Sequence, residues 1–163
     1  MPWSRRGDYG ERVTDVQVPP ATAVARGQRR LLAELAAGAA ASAAVGAVLW
    51  VRGRRAGRSG VVGFGRQTVA WAVVDAAIVG WGVRGLARSP QDDDGAGRTA
   101  RRMRLLTAAN AGADVGYVAL GVALARRPDR RGDGLAVVVQ GLFLLWLDAR
   151  HARRFHRLAR RTA

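Results

Sequence analysis

Four apolar blocks, at residues 31–51, 61–83, 105–125 and 132–148, divide the chain, and charged residues crowd the stretches between them. The first three are each near the ~20 residues that an α-helix needs to cross a ~30 Å hydrocarbon core. The fourth is short by itself. Together they predict an all-α integral membrane bundle of four transmembrane helices, occupying residues 31–152. A soluble helical bundle is the competing reading, because the blocks are rich in alanine and glycine.

The pattern changes beyond the fourth block. Leu147, His151, Phe155 and Leu158 share one helical face, while Arg150, Arg153, Arg154, Arg157, Arg160 and Arg161 cover the rest. This predicts a basic amphipathic C-terminal extension, with residues 153–163 as a basic tail. Anionic lipid headgroups are its expected partner, each arginine near the surface contributing about 1 kcal/mol. A solvated tail is the other reading. Residues 1–30 carry no apolar run and contain Pro19 and Pro20, so they predict a polar, mobile N-terminal arm.

Composition alone points elsewhere: 27 basic against 12 acidic residues in 163 suggests a nucleic-acid binder. The distribution of charge removes that suggestion. Every basic residue is arginine, and the arginines cluster at the block ends, with no aromatic ladder to stack bases. No nucleic-acid partner is expected; the lipid bilayer is. Six arginines precede the first block, six lie between the second and third, and six follow Asp148, against four in each remaining loop. The positive-inside bias therefore places both termini in the cytoplasm, and the expected location is the bacterial cytoplasmic membrane.

Small residues mark where helices can approach. Gly38, Ser42 and Gly46 recur every four residues in the first block, and Gly112 and Gly116 form a GxxxG pair in the third. These stripes are the candidate helix-packing surfaces, toward a homo-oligomer or another membrane protein. Asn110, Asp114, Tyr117 and Gly121 lie on the opposite side of the third helix. With two contact faces, that helix is predicted to be the most buried of the four.

Polar residues inside the blocks carry the candidate chemistry. Counting at 1.5 Å per residue from the cytoplasmic ends, Asp75, Asp114 and Gln140 all lie about 12–13 Å deep. An aspartate at midspan costs about 2.5–3.5 kcal/mol on insertion scales, so the three should converge inside the bundle with Asn110 and Tyr117. Two carboxyl groups held close in low dielectric cannot both ionise cheaply, which makes a proton-linked site one reading of the cluster. Plain interhelical hydrogen bonding that fixes the packing, at about 0.6 kcal/mol per contact, is the other. Glu34, near the cytoplasmic end of the first block, is placed to pair with Arg30 one turn before it.

At the membrane boundary, Asp148 and His151 stand one turn apart on the face that carries Gln140. Asp and His at this spacing can ligate a metal, but a third ligand is not evident, and no metal site is assigned. The Asp92-Asp93-Asp94 run reads as a solvated loop. The chain has no cysteine, and no Ser/His/Asp set, phosphate-binding glycine loop or HExxH motif is present. No catalytic residue and no cofactor follow.

The stretch ANAGADVGYVALG, followed by GDGLAVVVQGLFLLWLDARH, resembles a family of small four-helix bacterial membrane proteins of unknown function. Asn110, Asp114, Tyr117, Gly134, Gln140, Gly141, Phe143, Asp148 and His151 carry the resemblance, which extends over residues 31–151. The Arg/Ala/Gly-rich style looks actinobacterial. The resemblance implies the four-helix topology and an inner-membrane location, and it transfers no catalytic role. The expected function is therefore a non-enzymatic helix-packing or interaction protein, with a small proton- or ion-coupled transport component as the alternative.

Overall fold

The structure, a computed structural model, describes residues 19–88 and 92–161. Four long helices account for nearly all of them: α1 Pro20–Arg55, α2 Ser59–Arg88, α3 Asp93–Ala125 and α4 Arg131–Arg161, the last preceded by a single 3-10 turn at Pro128–Arg130. No strand occurs among the described residues. All four helices are long and apolar enough to cross a membrane.

α1 starts at Pro20, so residues 20–30 belong to a helix rather than to an arm; the rest of that expected arm, residues 1–18, lies outside the described residues. Pro20 suits the first helical position, where a backbone N–H has no intrahelical partner. The next orphan donor is met from another helix, because Ala21 N–H donates to Asp93 Oδ1 at 2.8 Å. Asp92 caps α3 by accepting from Gly95 N–H at 2.6 Å. The acidic run expected to be merely solvated thus holds two helix N-termini, and its charge favours the positive end of the α3 dipole.

The α1–α2 corner is closed by Gly57, whose φ of +64° is open to glycine at little cost. Around it, Arg58 N–H donates to Gly53 O at 2.9 Å and Gly57 N–H to Arg54 O at 3.3 Å, the paired bonds of a Schellman ending. The result is an antiparallel hairpin. α3 and α4 form a second hairpin, and α4 also packs on α2 and α1.

Both hairpins depend on missing side chains. A Cβ at Gly46 would stand 2.9 Å from Gly65 O, and one at Gly65 would overlap the backbone of Trp50. In the second hairpin, a Cβ at Gly121 would stand 2.8 Å from Val138 N, and one at Gly134 would overlap the backbone of Ala125. Backbones this close gain dispersion contacts that larger residues forbid. Large apolar side chains point outward instead: Val73, Ile78, Leu105, Val115 and Val139 are all exposed. Much of the interior between the paired helices is made of small residues, while many large apolar side chains are exposed.

α4, not α3, is the central helix. Of its most apolar 18-residue stretch 44% is buried, against 11% for α3. The reason is that α3 uses one face where two were expected: Gly112 and Gly116 are exposed, and a Cβ at either would meet nothing within 4 Å among the described residues.

α4 continues without a break through Arg161. Its apolar face beyond residue 148 is turned into the protein: Phe155 packs beside Gly27 of α1, and Ala159 joins Val24, Ala96 and Ala100 in a small core between α1, α3 and α4. The face expected to rest on a lipid surface is therefore buried, and Arg153, Arg157, Arg160 and Arg161 remain exposed on the outer side.

Candidate functional site

The interior face of each helix is set by residue spacing. In α2 the buried residues Gly65, Ala72 and Asp75 fall on one stripe; in α3, Thr107, Asp114 and Gly121 recur every seven residues; in α4, Gln140, Asp148 and His151 share a face. Packing these stripes together brings the three aspartates and Gln140 into the bundle.

Asp75 is completely buried, and its Oδ2 accepts a 2.6 Å hydrogen bond from Gln140 Nε2. Asp114 is 4% exposed. It lies within electrostatic range of Asp75 and of Asp148, itself buried. Asp75 Oδ1 and Asp114 Oδ2 are buried without a hydrogen-bond partner. Thr107 takes no part, because its hydroxyl donates back to Met103 O at 2.8 Å within its own helix.

Two residues placed in this cluster by sequence stand apart from it. Asn110 is exposed, and Tyr117 is 41% exposed, its ring meeting Trp71 of α2 edge to face at 5.5 Å between centroids. Tyr117 thereby bridges α2 and α3, whose backbones do not pack together. Of the proposed packing stripes, Gly46 contacts Gly65, Gly38 lies beneath the Phe143 ring, Ser42 is half-buried, and Gly112 and Gly116 face outward.

Toward the end of the bundle that holds the start of α1 and the end of α4, a second polar group follows. His151, 1% exposed, contacts Glu34 Oε2 through Nε2 at 3.1 Å. Glu34 also accepts from Arg30 Nε at 2.8 Å, as its spacing predicts, and from Arg150 Nη1 at 3.3 Å. Arg150 lies 5.2 Å over the Trp146 ring, a cation–π arrangement that steadies the guanidinium. His151 Nδ1 is a further buried atom without a partner. At the opposite end, Arg66 of α2 pairs with Asp133 of α4 at 3.2 Å.

The links Glu34–His151 and Arg66–Asp133 join residues more than 60 positions apart. Neither appears as a local motif. The chemistry available is that of carboxyl, amide and imidazole groups in a buried interior: holding a proton, or exchanging one between neighbours. Among the described residues no three His, Cys, Asp or Glu side chains are placed to hold a metal ion.

Comparison with curated proteins and with solved structures returns no match. A family model does match, over residues 34–149, a span that includes Glu34, Asp75, Asp114, Gln140 and Asp148 and stops short of His151 and the arginine-rich end of α4. With most of its length covered by that match, the chain belongs to the family of unknown function DUF6992.

Proposed function

We propose that this is a multi-pass protein of the bacterial cytoplasmic membrane, with both termini inside, that binds and releases protons at Asp75 and Asp114 as part of a small proton- or ion-coupled transport component. One observation carries the reading: Asp75 Oδ1 and Asp114 Oδ2 are buried with no partner. A cluster kept only for packing should satisfy its polar atoms, because each buried unsatisfied group costs about 1–3 kcal/mol. Trp71 Nε1, which cannot titrate, is also buried without a partner, so it is the pairing of two buried carboxyl groups that supports the reading: ionisable residues at membrane depth mark proton and ion pathways. Asp148 and the His151–Glu34 pair continue the titratable groups from this site toward the cytoplasmic end.

The test is an infrared titration of the reconstituted protein. A carboxyl band that titrates and is lost in Asp75→Asn and Asp114→Asn, together with loss of pH-dependent flux in folded variants, supports proton binding. Both aspartates fully ionised and open to water at about pH 7 would refute it. Orientation is tested separately by reporter fusions after Arg55, Arg130 and the C-terminus, with periplasmic activity expected at the first two positions.

A second reading, association through α3, is favoured by the outward Gly112–Gly116 pair, which no other described residue covers within 4 Å. Crosslinking in membranes that disappears in Gly112→Leu, with the monomer fold intact, supports it.

A further inference from the structure

The α1–α2 hairpin is closed at Gly46 and Gly65 and spreads toward its other end, where Leu32 of α1 reaches Gly82 of α2. α3 approaches α1 there and not α2. A cavity of about 370 Å³ lies between the three helices. By position along the helices, its lining runs from Val24 and Asp92 at the outer end, through Gln28, Thr99 and Arg102, to Leu32, Trp81 and Leu106. Trp81 is 82% exposed at the mouth.

We infer that this groove seats one anionic phospholipid, its phosphate at Arg102 and an acyl chain between Leu32, Trp81 and Leu106. The inference rests on the membrane reading and is independent of the carboxylate site. Charge and depth select the occupant. Gln28 and Arg102 lie just outside the apolar blocks that begin at residues 31 and 105, which is headgroup level, whereas the leucines lie inside them. A guanidinium pairs with phosphate in a forked, charge-assisted contact, and the amide of Gln28 and the hydroxyl of Thr99 are further donors. Exposed tryptophan at this depth is the residue that favours the boundary between headgroups and chains. Asp92 also lines the cavity, about 15 Å along α3 from Arg102, where its charge is offset by the positive end of the α3 dipole that it caps through Gly95 N–H.

The experiment places the full chain in nanodiscs of equal phosphatidylglycerol and phosphatidylcholine and reads retained lipid by native mass spectrometry. One phosphatidylglycerol per chain is expected, favoured about tenfold over phosphatidylcholine, a ratio that corresponds to ~1.4 kcal/mol. Arg102→Gln should abolish the preference, while Arg157→Gln, on the exposed side of α4, should leave it unchanged. Equal retention of the two lipids, equal loss in both variants, or displacement by millimolar inorganic phosphate would each overturn the groove assignment. A chain that fails to enter the bilayer would overturn the membrane reading first; insertion without selective retention would overturn the groove alone.

Discussion

Gln140 donates through Nε2 to Asp75 Oδ2 at 2.6 Å, and this one hydrogen bond ties the central helix α4 to α2 in the buried interior. Asp75→Asn keeps an acceptor oxygen in the same place, so its folding stability should fall by no more than about 0.6 kcal/mol. Gln140→Leu removes the donor and strands a buried oxygen, and should cost about 1–3 kcal/mol. Equilibrium unfolding in mixed micelles separates the two. An Asn variant as unstable as Asp75→Leu would show that the acid itself, and not the hydrogen bond, holds these helices.

The glycines fall into two groups with opposite expectations. Gly65→Ala and Gly134→Ala each push a methyl group into a neighbouring backbone and should destabilise by about 1–3 kcal/mol. Gly112→Ala and Gly116→Ala meet open space and should lie within about 0.5 kcal/mol of the parent. Thermal unfolding of the four variants in one detergent checks the contrast.

Phe155 is fully buried, so the end of α4 is part of the packed structure. Phe155→Ala should cost about 3–5 kcal/mol and expose the last turns of α4 to protease. Limited proteolysis followed by mass measurement reads this directly. Cleavage after Arg150 in the unaltered protein at the rate seen in the variant would contradict the packed arrangement.

Glu34 gathers Arg30, Arg150 and His151 from two helices, and its side chain is 24% exposed. Glu34→Gln should destabilise by about 1 kcal/mol, the lower part of the range for charged hydrogen bonds because solvent screens part of the interaction. The informative quantity is the coupling with His151→Gln. A double-mutant cycle should give an interaction of at least about 0.5 kcal/mol, whereas strict additivity would mean that the 3.1 Å contact contributes nothing.

Much of this architecture is legible along the chain. Block length sets the four helices, the glycine after the arginines at 52–55 ends α1, and Asp92 followed by Asp93 and Asp94 is an N-terminal helix signal that charge alone does not reveal. Asp75 and Gln140, which sequence position puts at a similar height, are hydrogen-bonded, and the α4 face carrying Gln140, Asp148 and His151 is the buried one.

The choice of contact faces belongs to the tertiary structure. Where large apolar side chains surround a helix, hydrophobic contrast does not say which side is covered, and each small-residue stripe is only an offer of close approach. Steric match between two whole surfaces accepts the offers of Gly46 with Gly65 and Gly121 with Gly134, and leaves Gly112 and Gly116 outside. That choice rotates α3 so that Asp114 turns inward while Asn110 and Tyr117 stay at the rim, and it makes α4 the centre. It also brings Glu34 to His151, because antiparallel packing of α1 on α4 sets them side by side although 117 positions separate them in the chain. Local spacing ranks the faces of each helix; which pairs of faces fit is a property of the assembled bundle.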